Sequence, residues 1–273
     1  MPPKLGIIAG GGDLPASLIS VCRAIGREFF VLAVEGYTDP KLVADVPHAW
    51  TRLGAFETSI QLLREAGVEE LVLAGHARRP SFTGMKPDRR LRRLLFKIGA
   101  AAFGDDGLLS GVIKEFEEEG FRVVGLDNIL GDVLAVEGIY TESAPDEQAR
   151  LDIERGVEVA RALGNVDVGQ SVVVQHGIVL GVEAIEGTDA LLTRCAALGR
   201  DGPGGVLVKV KKPAQEHRVD LPTIGVSTVQ AAAAAGLRGI AIEAGVSLVV
   251  DPPAVTRAAD EAGLFLIGIT IKA

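Results

Sequence analysis

Short apolar runs alternate with amphipathic stretches along this chain, and the alternation predicts strands and helices in turn. Residues 5–9 (LGIIA), 29–34, 50–53, 69–73 and 121–125 read as buried strands, while 57–66, 86–98 and 107–119 repeat apolar positions at helical spacing. That order predicts a Rossmann-like α/β domain with a mainly parallel sheet over residues 1–130. Residues 131–145 mix Gly, Asp, Pro and Glu without periodicity and read as a linker. A second α/β domain follows over 146–273, opening on an amphipathic helix at 146–163. Strands 171–174 and 178–184 flank Gln175-His176-Gly177, a hairpin signal, and a helix at 189–197 comes next. Val206, Val208 and Val210 alternate with Lys209 and Lys211, the pattern of a strand that carries ammonium groups to its end. Helices at 227–236 and 253–262 and strands near 239–242, 246–250 and 264–269 complete the chain.

Composition narrows the picture. A chain of 273 residues suits two domains, and 48% hydrophobic content with only 4% aromatics implies a core of Val, Leu, Ile and Ala. A net charge of −8 argues against nucleic-acid binding, so any phosphate site must be local. Cys22 and Cys195 lie far apart without metal-ligand spacing and read as buried small hydrophobes of a reducing compartment. No apolar run approaches the ~20 residues that span a bilayer. Met1-Pro2-Pro3-Lys4 leads straight into the first strand with no signal-peptide pattern. The expectation is a cytoplasmic soluble protein, unless it docks on a membrane surface.

Candidate chemistry gathers at strand ends. Gly10-Gly11-Gly12-Asp13 follows the first strand, with Asp13 placed to cap a helix that has Pro15 in its first turn, so backbone N–H groups surround an anion-favouring concavity. The run is not GxGxxG, and only Glu35 could serve as the acidic partner of a dinucleotide, so a plain turn without ligand also stays open. Gly75-His76-Ala77-Arg78-Arg79-Pro80 ends the strand at 69–73, the edge at which open α/β sheets hold ligands. Six of the 28 cations fall in Lys86–Ile98, where Leu91, Leu94, Leu95 and Ile98 share one face and Arg89, Arg90, Arg92, Arg93 and Lys97 take the others. That helix is either solvated on its domain or laid on anionic headgroups. Asp105-Asp106 can ligate a divalent cation or serve as helix-start acids. Thr188 is a candidate N-cap, with Asp189, Glu183 and Glu186 close by. The densest polar stretch holds Lys209, Lys212, Gln215, Glu216, His217, Arg218 and Asp220 before Leu-Pro-Thr223-Ile-Gly, and it suits an anion better than a core. No Ser-His-Asp order, GxSxG elbow, P-loop or HExxH is present, which leaves chemistry on phosphate.

The run from Pro213 through Gln215, Glu216, Arg218 and Asp220 to Gly225 resembles the signature of the UDP-2,3-diacylglucosamine pyrophosphatases of lipid A biosynthesis, the type unrelated to metallophosphoesterases. Leu5–Pro15 and Glu183–Ala190 resemble the same family, so the likeness spans the chain. The resemblance implies two α/β domains joined by a linker, with the active site in the cleft between them. It further implies Mg²⁺-assisted attack of water on the UMP phosphorus of UDP-2,3-diacylglucosamine, which releases UMP and 2,3-diacylglucosamine 1-phosphate. Asp220 matches the family's critical aspartate, and would ligate Mg²⁺ or hold the attacking water, with Asp105 and Asp106 as further metal candidates. Lys209, Lys212 and Arg218 would neutralise the diphosphate. Gly11, Gly12, Asp13, Gly75, His76, Arg79, Thr188, Asp189, Gln215 and Thr223 would complete substrate binding. A lipid substrate implies work at the cytoplasmic face of the inner membrane of a Gram-negative bacterium, and a homodimer stays open. Two other readings compete: a non-catalytic nucleotide-sugar or dinucleotide-binding module using the glycine turn, and a scaffold at the membrane.

Overall fold

The computed structural model describes residues 2–76, 87–98, 105–130, 133–212 and 221–271, apart from the side chains of Asp105, Asp106 and Asp127. These residues divide into two compact units, one ending at 130 and the other beginning at 133. In the first unit the elements are β1 (Leu5–Ala9), α1 (Leu14–Ala24), β2 (Phe29–Val34), α2 (Pro40–Val43), β3 (His48–Thr51), α3 (Phe56–Glu65), β4 (Glu70–Ala74), α4 (Arg89–Ile98), α5 (Asp105–Glu118), β5 (Arg122–Val123) and α6 (Asp127–Leu130). The strands form one parallel sheet in the order β3-β2-β1-β4-β5, with Leu5 opposite Phe29 on one side and Glu70 on the other. The parallel sheet read from the apolar runs is therefore present. Strands covered on both faces need apolar side chains at nearly every position, and β1 and β4 are buried at all but one. Leu63, Leu71, Ile113 and Phe116 pack with Leu91 and Leu94 into the core under α3, α4 and α5. Burying each such side chain contributes about 1.5–3 kcal/mol.

The second unit holds β6 (Gly138–Ile139), α7 (Glu147–Asn165), β7 (Ser171–Gln175), β8 (Ile178–Val182), α8 (Thr188–Cys195), β9 (Val206–Lys209), β10 (Thr223–Ile224), α9 (Val226–Ala234), β11 (Gly239–Glu243), β12 (Leu248–Val249), α10 (Pro252–Glu261) and β13 (Phe265–Ile269). Its main sheet runs β6-β13-β11-β9-β7-β8, parallel through β13, β11 and β9 and antiparallel at both flanks, while β10 and β12 pair separately. Residues 135–141, inside the stretch read as a linker, line this unit: Ala135 N–H donates to Ser247 and Tyr140 N–H to Leu266. Period-two alternation sorts the sheet. Val206, Val208 and Ala241 face α7, whereas Leu207, Ile240 and Ile242 face α8, α9 and α10. Cys195 joins the second of these cores and Cys22 is buried in the first unit, and burial pushes both thiols up.

Two residues of α7 set how it meets the sheet. Asp152, 1% exposed, accepts the N–H groups of His176 at 3.0 Å and Gly177 at 2.7 Å, holding the two-residue turn in which both residues have positive φ. The hairpin read at this point is present, and its turn has the primed geometry that matches strand twist. Gly156 lies mid-helix over β9, where a Cβ would come within 2.4 Å of Val208 Cγ2. Gly156→Leu should therefore lower stability by about 1–3 kcal/mol through overpacking, read as a drop in thermal midpoint. An unchanged midpoint would mean that α7 can lift off β9 freely.

Candidate functional site

Across the first sheet the connections reverse direction between β1 and β4, and open α/β sheets hold ligands outside the carboxyl ends of strands at such a point. The loops after those two strands meet there. Gly10 N–H donates to Ala74 C=O, Gly11 N–H to His76 C=O at 2.8 Å, and His76 N–H back to Gly11 C=O at 3.0 Å. Glycine is required by this approach at two positions, where a Cβ would meet backbone: one on Gly75 would stand 2.3 Å from Gly11 O and one on Gly10 2.6 Å from His76 O, whereas one on Gly11 would meet the His76 ring at 2.9 Å from Nε2. Positive φ falls at Gly12 and Gly75, not at Gly11. The exposed His76 ring thus lies over the turn. Because the Gly10 and Gly11 amides are held by the β4 loop, any anion contact falls to Gly12 and the first turn of α1. Asp13 does not cap that helix with its side chain, contrary to the expectation; its carbonyl accepts from Ser17 instead, and Pro15 is in the first turn as read. Thr38 ties a third loop to the same edge, accepting from Val34 N–H and donating to Ala9 C=O at 2.6 Å. The cavities about Glu69-Glu70 and Gly26-Glu28, of about 360 and 500 Å³, open at the opposite, amino-terminal edge and take no part.

In the second unit the ends of β8 and β9 and the start of α8 build a buried polar chain. Lys209, 7% exposed, donates Nζ to Thr188 Oγ1 at 3.0 Å and to Thr223 C=O at 2.9 Å. Thr188 Oγ1 in turn donates a hydrogen bond to Glu183 Oε1 at 2.8 Å. A buried ammonium needs acceptors and a counter-charge, and here one hydroxyl joins cation to carboxylate. Ser171 Oγ lies 3.4 Å from the same hydroxyl. Glu183 is itself 7% exposed, and its Oε2 has no hydrogen-bond partner among the described residues. The N-cap of α8 is Gly187, so the reading of Thr188 as N-cap is corrected: its hydroxyl serves Lys209 and Glu183. No side chain caps this helix, and its first amides open beside the Lys209 chain. Asp189, exposed in the first turn, accepts Thr193 Oγ1 through its carbonyl. The Arg194 guanidinium hydrogen-bonded to Glu186 holds that carboxyl below its usual range.

Lys212 is buried and pairs with Asp167 Oδ1 at 2.6 Å, and Thr223 Oγ1 donates to Leu221 C=O. The structure therefore joins Gly11, Gly12, Asp13, Gly75 and His76 in one group, and Thr188, Lys209 and Thr223 in another. Arg79, Gln215, Arg218 and Asp220, and the side chains of Asp105 and Asp106, lie outside the described residues. Sequence reasoning noted Glu183 without giving it a task and passed over Ser171 and Thr38. A glutamate five residues ahead of a threonine at a strand end, with a lysine at the end of a neighbouring strand, was the available signal.

A family model described as the LpxI N-terminal domain matches residues 4–133, and one described as the LpxI C-terminal domain matches residues 136–267. The UDP-2,3-diacylglucosamine pyrophosphatase LpxI of Caulobacter vibrioides is 46% identical over 273 residues, covering 97% of each chain. Among solved structures, the biotin carboxylase domain of a thermophilic 2-oxoglutarate carboxylase aligns at 14% identity and TM-score 0.28, over 63% of this chain and 35% of that one. Glycinamide-RNase-transformylase T of Mycobacterium tuberculosis aligns at 11% and 0.27, over 66% and 43%. Structural likenesses that weak carry no argument.

Proposed function

Because the chain belongs to the LpxI family, we propose for it the hydrolysis of UDP-2,3-diacylglucosamine to UMP and 2,3-diacylglucosamine 1-phosphate, a step of lipid A biosynthesis. The observation that carries the reading is identity of 46% running through 97% of both chains. Water attacks the UMP phosphorus, the bond from that phosphorus to the bridging oxygen breaks, and the sugar phosphate leaves with that oxygen. Such a step asks for charge neutralisation and positioning more than covalent chemistry. Lys209 is the better placed of the two described lysines: it ends a strand beside uncapped helix amides, whereas Lys212 already holds the Asp167 carboxylate. On this reading Asp220 accepts the proton of the attacking water or orients it, and Arg218 neutralises the diphosphate.

Among the described residues no group of three His, Cys, Asp or Glu could hold a metal ion, and Mg²⁺ is commonly held by one or two carboxylates together with substrate phosphates. A requirement for the ion would rest on Asp220, Asp105 and Asp106. Among the described residues no helix is long and apolar enough to cross a membrane, so a lipid substrate would be met at the bilayer surface. UMP release from UDP-2,3-diacylglucosamine by the purified protein tests the reading, and an intact substrate after prolonged incubation overturns it.

The first unit enters the reaction through its glycine turn. Gly11→Val drives a branched side chain toward the His76 ring, 2.9 Å from the ideal Cβ, and toward Tyr37 O at 3.3 Å. Displacing that loop pair should raise KM about tenfold or more while the fold persists, since misplacing a binding group by about 1 Å is felt at that scale. Unaltered kinetics in a folded variant would make the turn structural only.

A further inference from the structure

The helix α4 carries a surface that the hydrolysis reaction does not use. Leu91 and Leu94 face the core and Leu95 and Ile98 pack at its edge, as their spacing predicted. The five cations of the helix do not share one environment. Arg90 pairs with Glu115 at 2.9 Å and with Glu119, and Lys97 with Glu118 at 3.4 Å, all on or just after α5. Arg89, Arg92 and Arg93 are exposed and make no ion pair among the described residues; Arg92 reaches only the Asp88 carbonyl, at 3.4 Å. They fall at i, i+3 and i+4, and the next position of that stripe, i+7, is Phe96, 90% exposed. Asp88, just before the helix, accepts the N–H groups of Leu91 at 2.8 Å and Glu57 at 2.6 Å.

We infer that the Arg89–Arg92–Arg93–Phe96 stripe is a docking surface for an anionic lipid bilayer, with the guanidinium groups on headgroup phosphates and the Phe96 ring in the interface. An exposed aromatic on an unpaired cationic stripe, in a protein of net charge −8, has its complement in a surface that is anionic above and apolar below. A second copy of this chain fits less well. A two-fold contact would set one arginine stripe against the other, and four side chains fall far short of the roughly 800 Å² per partner of a stable interface. The inference rests on the reading that the substrate is a lipid, and it names where that lipid's membrane is met.

Co-flotation with vesicles, without substrate, tests it. The protein should partition to phosphatidylcholine vesicles containing phosphatidylglycerol and hardly at all to phosphatidylcholine alone. Neutralising Arg89, Arg92 and Arg93 to Gln should lower partitioning about 100-fold, at about fivefold per arginine. Phe96→Ser should lower it about tenfold, from lost apolar burial. A control that removes equal charge from the exposed Arg150, Arg155 and Arg257 of the second unit should keep most of the binding. Equal loss in the control, or no partitioning by the parent protein, overturns the proposal. Concentration-dependent self-association abolished by Phe96→Ser also overturns it, in favour of a second copy. UMP release from detergent-dispersed substrate is read on every variant and should stay near the parent rate. Vesicle binding without any hydrolysis would sink the proposed reaction and leave the docking surface standing.

Discussion

Replacing Asp220 by alanine lowers UMP release about 100-fold or more at saturating substrate, the usual loss when a group acting on the attacking water is removed. The expectation comes from the sequence around it. Asp220 stands two residues after Arg218 and three before Thr223, whose carbonyl takes the Lys209 ammonium, so it belongs to the stretch that feeds the Lys209 chain. A carboxylate can both accept a proton from water and orient it by hydrogen bonding. Substrate affinity should hold or improve, because one negative charge is removed beside a polyanion. Asp220→Asn separates two roles: an amide still accepts a hydrogen bond and preserves loop shape, but it cannot take a proton. Near-normal turnover in a stably folded Asp220→Ala protein would end the catalytic assignment.

The second large effect is expected at Lys209 and has two parts. Lys209→Met leaves buried Glu183 without the cation that reaches it through the Thr188 hydroxyl, and losing the hydrogen bonds of a buried charged group typically costs about 1.5–3 kcal/mol. Thermal and denaturant unfolding should show that loss. Adding Glu183→Gln removes the stranded charge, and the double variant should recover most of the stability. It should not recover turnover, because the ammonium beside the uncapped start of α8 is still missing. That combination of restored melting and absent hydrolysis is what a functional lysine predicts. Activity returning together with stability would show that the chain from Lys209 through Thr188 to Glu183 is scaffolding.

The two units differ in how much of their sites could be read in advance. Strand-helix alternation depends on local periodicity, and so the parallel sheet, the hairpin at His176-Gly177 and the core face of α4 were all visible. The glycine turn was visible too, but the reason for its glycines was not. The demand comes from the close approach of the His76 backbone to Gly10 and of Gly75 to Gly11, a contact between distant stretches, while positive φ sits at Gly12 and Gly75. Thr188 shows the same limit. A threonine before a helix has a strong local preference to cap it, and that preference lost to a buried lysine arriving from β9. On α4, helical spacing grouped five cations together, and only the acids of α5 separate Arg90 and Lys97 from the other three.

The Gly11–His76 bridge also bears on how the first unit folds. It joins residues 65 apart, across strands whose neighbours in the sheet are not neighbours in sequence. A parallel pairing of that separation closes a long loop before its contacts reward it, so β1 with β4 is a late and slow event compared with the helices around it. Until β4 arrives, Gly10 to Gly12 have no partner to shape them. The ligand-facing turn near the amino end of the chain is therefore completed only when a strand made much later has been laid beside it, and an early-folding fragment would carry the motif without the site.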